Sequence, residues 1–242
     1  IAQCEGSSTT SFREIPTNSH NASTSQISRT WQKLYSAIYD ANDFIETVSG
    51  RMDNWGSSDR ELATIYLGEA RALRALFYFE LVRWYGNVVL MTSTADSRRK
   101  DETFEQTAAK DVYAYIEEDL KYAAELLPWA VDDTRRTTNA YRFSKGAALG
   151  LLAKVYCTWA GYPVRDESKW AEAEKAARRV VESGKHRLIS DYETVWKNTC
   201  NGIWDAGESL IEVSFYSPTG LDSDNTAGRI GKWNGVSATT VE

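Results

Sequence analysis

The chain has 242 residues, a net charge of −6, 42% hydrophobic residues, nine Trp and thirteen Tyr. That length and apolar content suffice for one large domain or two small ones. Acidic residues are scattered and the basic run is Arg98-Arg99-Lys100, which argues against a nucleic-acid partner because phosphate binding needs a concentrated basic surface.

No window reaches the roughly 18 consecutive apolar residues that a membrane helix needs. The opening Ile1-Ala2-Gln3-Cys4-Glu5 has neither a basic n-region nor an apolar h-region, so it reads as no signal peptide and the chain as a fragment or processed piece. Cys4, Cys157 and Cys200 show no metal spacing and no C-x-x-C. Cys157 reads as a small core residue, and a Cys4–Cys200 disulfide stays open.

Residues 1–27 are Ser/Thr/Asn-rich and read as loop. From Ser28, Trp31, Leu34, Tyr35, Ile38, Phe44, Ile45 and Val48 keep helical spacing until Gly50. A polar connector with Trp55 leads to a second helix over about Arg60–Gly86. There Leu62, Ile65, Tyr66, Leu73, Leu76, Phe77 and Trp84 share a face, and apolar residues on the other sides predict neighbours all round. A third helix is expected to open near Thr103 through a Thr103-x-x-Gln106 capping box and to close at Pro128.

Ser144 reads as the N-cap of a fourth helix, whose Gly146, Ala147, Ala148, Gly150 and Ala153 offer a small-residue surface for a close helix neighbour. A fifth spans about Glu167–Ser183 with Trp170, Ala173, Ala177, Val180 and Val181 inward and Gly184 as C-cap, and a short sixth covers Tyr192–Trp196. Leu210–Tyr216 alternates like a strand. The pattern predicts a mainly α, TPR-like helical-hairpin array over 28–200, followed at 201–242 by a strand and loop segment that starts a missing C-terminal part.

Two passages carry a family resemblance. Glu69-Ala70-Arg71-Ala72-Leu73-Arg74-Ala75, its aromatic run and Tyr85-Gly86-Asn87-Val88 resemble the signature helix of the RagB/SusD family. Lys145-Gly146-Ala147-Ala148 with Leu151-Leu152-Ala153-Lys154-Val155-Tyr156 is similar to its second hallmark. Trp31-x-x-Leu34-Tyr35, Tyr162-Pro163, Asp191-Tyr192 and Glu208–Val213 follow in the family's order. Val89 departs from it, standing where members usually have Pro.

The resemblance implies a non-enzymatic, SusD-like α-α superhelix. It implies capture of oligosaccharide, or of peptide in some relatives, on the outer face of a Gram-negative outer membrane. The partner would be a SusC-like TonB-dependent transporter, the membrane association a lipid anchor not present in this chain, and no cofactor is implied. A TPR-like protein-interaction scaffold is the alternative.

Site candidates follow from residue type and place. Glu69, Arg71 and Arg74, inside an apolar helix, read as structural ion pairs because a charge in a core must be partnered; Tyr85 and Gly86 complete the signature. The carboxylate groups Asp132-Asp133, Glu117-Glu118-Asp119 and Asp222-x-Asp224 read as solvated surface or turn rather than a glycosidase pair, and His20 and His186 fit no metal or catalytic set. Helical Trp31, Trp84, Trp159 and Trp170 read as core. Loop-borne Trp55, Trp204 and Trp233 are the candidate sugar platforms, with Arg13, Asn18, His20 and Asn21 as candidate hydroxyl partners.

Overall fold

The computed structural model describes residues 15, 18–97, 104–133, 142–201, 203 and 205–212. The chain divides into two compact units, residues 1–32 with 213–242 and residues 33–212. Among the described residues there are seven α-helices and no strand; Leu210–Glu212 run irregularly, and 213–216 lie outside the described residues.

In the first unit, Asn21 and Thr24 shape the turn that launches α1 (Ser25–Ser49). Asn21 Oδ1 accepts from Ser23 N at 2.8 Å, and the Thr24 carbonyl accepts from Ser28 N at 3.1 Å. Thr24 therefore sits at the N-cap, and the helix begins ahead of Ser28.

The second unit holds the rest of α1, α2 (Ser57–Tyr85), the short α3 (Thr94–Ser97), α4 (Ala109–Leu126), α5 (Lys145–Ala160), α6 (Lys169–Glu182) and α7 (Tyr192–Cys200). The sequence signals explain several ends. Gly86 and Gly184 take φ of 76° and 63°, a region that Gly enters without a Cβ penalty. Ser144 Oγ accepts from Ala147 N at 3.2 Å as the cap of α5.

Contacts pair low residue numbers with high ones across successive long helices, so they run antiparallel. Ile45 of α1 meets Leu67 and Ala70 of α2. Phe79 of α2 faces Tyr113 of α4 at 6.5 Å, and Gly68 lies under Leu127 just beyond the end of α4. Tyr113 stacks on Trp159 of α5 at 5.6 Å. Fully buried Ala72 and Ala75 let neighbouring helices come close to α2, and Tyr78, Phe79 and Leu81 are also wholly enclosed. Each such large side chain contributes about 1.5–3 kcal/mol by burial.

The large residues Leu62, Tyr66, Leu73 and Trp84 of α2 are exposed rather than inward. The buried sides of α2 combine Ala63, Ala70, Ala72 and Ala75 with Ile65, Leu67, Tyr78, Phe79, Leu81 and Val82. Likewise α6 buries Ala173, Ala176 and Val180, leaving Trp170, Ala177 and Val181 outside. Cys157 is exposed on α5, not in the core.

Arg74 is the hub of the helix interfaces. Its Nε and Nη2 donate to the two carboxylate oxygens of Asp119 at 2.8 Å each, and its Nη1 donates to Asn42 Oδ1 at 2.7 Å. Arg71 Nη1 approaches the same carboxylate at 3.7 Å. Burial pushes the Asp119 carboxyl up, against the pull of Arg74 and Arg71. Arg74 in turn is held protonated: its own burial works most strongly against the charge, and the hydrogen bond and charge of Asp119, with Tyr115 and Tyr78, together outweigh that.

Asn42 Nδ2 passes the link on to the Met91 carbonyl at 3.0 Å. That carbonyl also accepts from Tyr78 Oη at 2.8 Å, while Tyr35 Oη donates to the Val89 carbonyl at 2.7 Å. Burial raises both phenols, so they stay neutral donors. The extended crossing after α2 is thus fixed by side chains of α1 and α2, not by a sheet.

This crossing also explains why α4 starts at Ala109 and not near Thr103. Val88 and Thr107 exchange backbone hydrogen bonds at 3.3 and 2.8 Å, which holds Thr107 extended. Asn87 Oδ1 then accepts from Ala109 N at 3.0 Å, so the first turn is capped from across the chain. Thr103 lies outside the described residues.

Glu117 and Asp119, expected on a solvated face, instead point between helices. Glu117 accepts from Lys121 at 2.5 Å, Lys169 at 3.0 Å and Tyr156 Oη at 2.8 Å, joining α4, α5 and α6. Lys169 Nζ also lies 3.8 Å from the Trp159 ring centroid, a cation–π contact. Burial pushes the Glu117 carboxyl up, yet the three donors together hold it below its ordinary value.

The small-residue surface of α5 meets something other than a helix at its two glycines. A Cβ on Gly146 would overlap the His186 imidazole, and one on Gly150 would strike a methyl of Leu210. The segments on either side of α7 therefore lie on α5, with His186 also 5.8 Å from the Trp129 ring.

Replacing Arg74 by Leu, or Asp119 by Leu, is expected to cost about 3–5 kcal/mol each by stranding a buried charge. The double replacement should cost less than the sum of the two, as read by urea melts in a double-mutant cycle. For Glu117 the folded carboxyl titrates below the unfolded value of about 4.3. Its ties therefore stabilise above that value and are lost as pH falls through the lower folded value. Glu117→Gln should lower stability at pH 7 by about 1–3 kcal/mol and flatten the acid limb of the stability–pH curve.

Candidate functional site

The structure separates the sequence candidates. Asn18, His20 and Asn21 are exposed in the first unit, where Asn21 spends its amide oxygen on the turn before α1. Arg13, Trp204 and Trp233 lie outside the described residues, as do Cys4, Arg98–Lys100 and Asp222–Asn225. Trp55 is half-buried after a 3₁₀ turn (Met52–Asn54), and its carbonyl accepts from Arg60 Nη2 at 3.0 Å.

Glu69 pairs with Arg142 at 2.5 Å and Arg74 with Asp119, while Arg71 also covers the Tyr122 ring at 3.9 Å. Tyr85 is the last residue of α2 and Gly86 its C-cap. These five signature residues build helix contacts and a helix end. Of the tryptophans read as core, Trp159 is buried, whereas Trp84 and Trp170 are more than half exposed. Among the described residues no group of three or more His, Cys, Asp or Glu could hold a metal ion.

Two apolar surfaces stay open on the second unit, and their chemistry differs. The first is a groove of about 580 Å³ along α1 and α2, floored by Ala37, Ala41, Phe44, Ala70, Leu73 and Phe77. A further hollow of about 370 Å³ extends it past Val48, Trp55, Leu62 and Tyr66. Charges sit at its edge: Asp40, Asp59 and the Glu69–Arg142 pair. The lining is apolar and in part aromatic, with Phe44 and Phe77 in the groove and Trp55 and Tyr66 in the hollow.

The second surface is α7. Asp191 starts it, accepting from Glu193 N at 3.2 Å and Thr194 Oγ1 at 2.6 Å, and these bonds hold its carboxyl below the usual carboxylate range. Tyr192 and Trp196 are 87% and 69% exposed. Their spacing of four residues places both rings on one side of the helix, about 5–6 Å apart at Cβ. Lys197, next to Trp196 in sequence, is tied to Glu193 at 3.0 Å, while Thr194 and Asn198 lie on the half-buried side of the helix. Flat rings beside hydrogen-bonding side chains suit the apolar C–H faces and hydroxyls of a sugar. Sequence reading had placed the helix but not its use; the signal was an aromatic pair at i and i+4 in a polar segment.

Antiparallel hairpins joined through buried ion pairs, with aromatic side chains displayed outside, define a helical-hairpin scaffold. Residues 5–157 match the profile of a SusD-like family described as starch-binding associating with outer membrane. A SusD homolog of known structure from Bacteroides thetaiotaomicron is 60% identical and superposes with a TM-score of 0.90 over 98% of this chain and 44% of its own. A SusD-like protein of Bacteroides ovatus is 30% identical over 193 residues, 78% of this chain and 33% of that protein. A laminarin-binding SusD-like protein is 27% identical at a TM-score of 0.61, over 79% of this chain and 38% of its own.

The chain belongs to the SusD-like family. It spans between a third and a half of the length of these relatives.

Because Tyr192 and Trp196 touch water and not the core, alanine at either should change stability by less than about 0.5 kcal/mol. Trp159→Ala should cost about 3–5 kcal/mol. Thermal melts of the three variants separate the displayed rings from the packed one.

Proposed function

We propose that the protein captures oligosaccharide without transforming it, at the outer face of an outer membrane, and passes it to a TonB-dependent transporter of the SusC type. The observation that carries this reading is the match of residues 5–157 to a family described as starch-binding and outer-membrane-associated. Membrane attachment in this reading comes from a lipid anchor; among the described residues no helix is long and apolar enough to cross a membrane.

The surface chemistry supports binding over catalysis. Glycoside hydrolysis needs two carboxyl groups flanking one bond, one free to donate and one to attack or activate water. Glu117 is occupied by Lys121, Lys169 and Tyr156, and Asp119 by Arg74. Asp132 pairs with Lys185 at 2.8 Å. Tyr192 and Trp196 instead supply a platform for sugar rings, and a β-glucan or starch-type glucan is the ligand class that the family description and the laminarin-binding relative support.

Calorimetry on the full-length protein with starch- and laminarin-derived oligosaccharides tests the reading. Each stacked ring is worth about 1 kcal/mol, so Tyr192→Ala or Trp196→Ala should weaken binding roughly fivefold and the pair roughly thirtyfold. Unchanged affinity in the double variant would remove α7 from the site. No binding to any glycan by the unaltered protein would turn the reading towards a peptide ligand.

A further inference from the structure

We propose that His186 and Leu210 are positioning residues for the sugar platform on α7. Seated side by side on α5, they set the direction in which Tyr192 and Trp196 face. The proposal rests on the reading of α7 as the glycan platform and adds what holds that platform in place.

The rings that would meet a sugar are held by little of their own. Tyr192 and Trp196 are exposed, as are Leu188 before the helix and Ile203 after it, so burying these side chains does not orient α7. The two flanking stems instead close on each other. Arg187 N donates to the Gly207 carbonyl at 2.9 Å, Arg187 Nη2 donates to Asp205 at 3.1 Å, and Ile189 N donates to the Glu208 carboxylate. Asp205 also accepts from Gly207 N at 2.8 Å, which fixes the turn of the second stem. The result is a closed base that carries α7.

That base sits in two notches of α5. The His186 imidazole fills the space that a side chain on Gly146 would take, and a Leu210 methyl fills that of Gly150. Being four residues apart, the notches lie on one face of α5, about 6 Å apart along its axis. A single contact would leave the base free to pivot. Two contacts, one from each stem, fix both its place along α5 and its direction across it. Trp129 borders the first notch, 5.8 Å from the His186 ring. Both nitrogens of that ring are buried and meet no hydrogen-bond partner among the described residues, an arrangement that costs stability. The ring therefore serves the seat by its shape. Freedom at the base would scatter the two platform rings and lower affinity, because their ordering would then fall at the binding step.

The test uses the full-length protein, with Leu210→Ser and His186→Ser emptying the notches and Leu210→Met and His186→Phe keeping them filled. In ligand-free hydrogen–deuterium exchange the Ser variants should let the amides of residues 187–189 and 207–209 exchange about tenfold faster, with α4 unchanged. Calorimetry with laminarin- and starch-derived oligosaccharides should show affinity lowered roughly fivefold by each Ser variant and restored to within about twofold by the Met and Phe variants. Stems that loosen while affinity stays the same overturn the proposal, as do stems that do not loosen, or faster exchange that spreads into α4. No glycan binding by the unaltered protein is a distinct outcome, which removes the platform and this proposal together.

Discussion

A guanidinium sealed from water must have its charge and its donors met, and Arg74 meets them with groups from two other helices. Asp119 of α4 takes two of its N–H groups and Asn42 of α1 a third. A bidentate pair fixes angle as well as distance. The register of α1, α2 and α4 is therefore set by one side chain, and a slide of either neighbour by one turn would strand a charge. Asn42 extends the constraint to the crossing at Met91, so the segment after α2 inherits the same register.

The farther half of the unit follows the same logic with another ion. Glu117 gathers Lys121, Lys169 and Tyr156, and Lys169 lies on Trp159, which stacks on Tyr113. Between the two hubs, α4 contributes both anions, Glu117 and Asp119, from within a single turn of one helix. That leaves α4 as the central strut: its acids face opposite neighbours, and neither is available for chemistry on a ligand. The surfaces that the hubs leave open are a short polar helix with two exposed aromatic rings and an apolar groove along α1 and α2.

Much of the helical array was legible because its punctuation is local. Ser144, Gly86, Gly184 and Pro128 act on the residues beside them, and their effects could be read from the sequence. The start of α4 could not, because its cap comes from Asn87, brought near by the pairing of Val88 with Thr107. The inward face of α6 was misassigned, and α2, expected to have neighbours all round, keeps one side open, for a related reason. Period alone does not say whether large or small residues face the core, and here close packing chose alanine. Cys157 and Trp170 fell outside on the same ground. Glu117 and Asp119 looked like a solvated acidic run, since nothing in their neighbourhood announces partners 39 to 52 residues away, or in Arg74 on an earlier helix. Of the ligand candidates, Trp55 lines the hollow beside Leu62 and Tyr66, and the exposed pair on α7 was visible only as a helix.

The two glycines of α5 have a consequence for how this sequence can drift. In most helix interiors an exchange of Gly for Ala is tolerated and even favoured by about 1 kcal/mol. At Gly146 and Gly150 the added methyl would land on His186 and Leu210. A change that improves the helix in isolation would evict the strand of chain lying across it. These positions are thus governed by volume and not by propensity, and the pair reads as a footprint: wherever a homologue keeps both glycines, it can keep the same strap over the same helix.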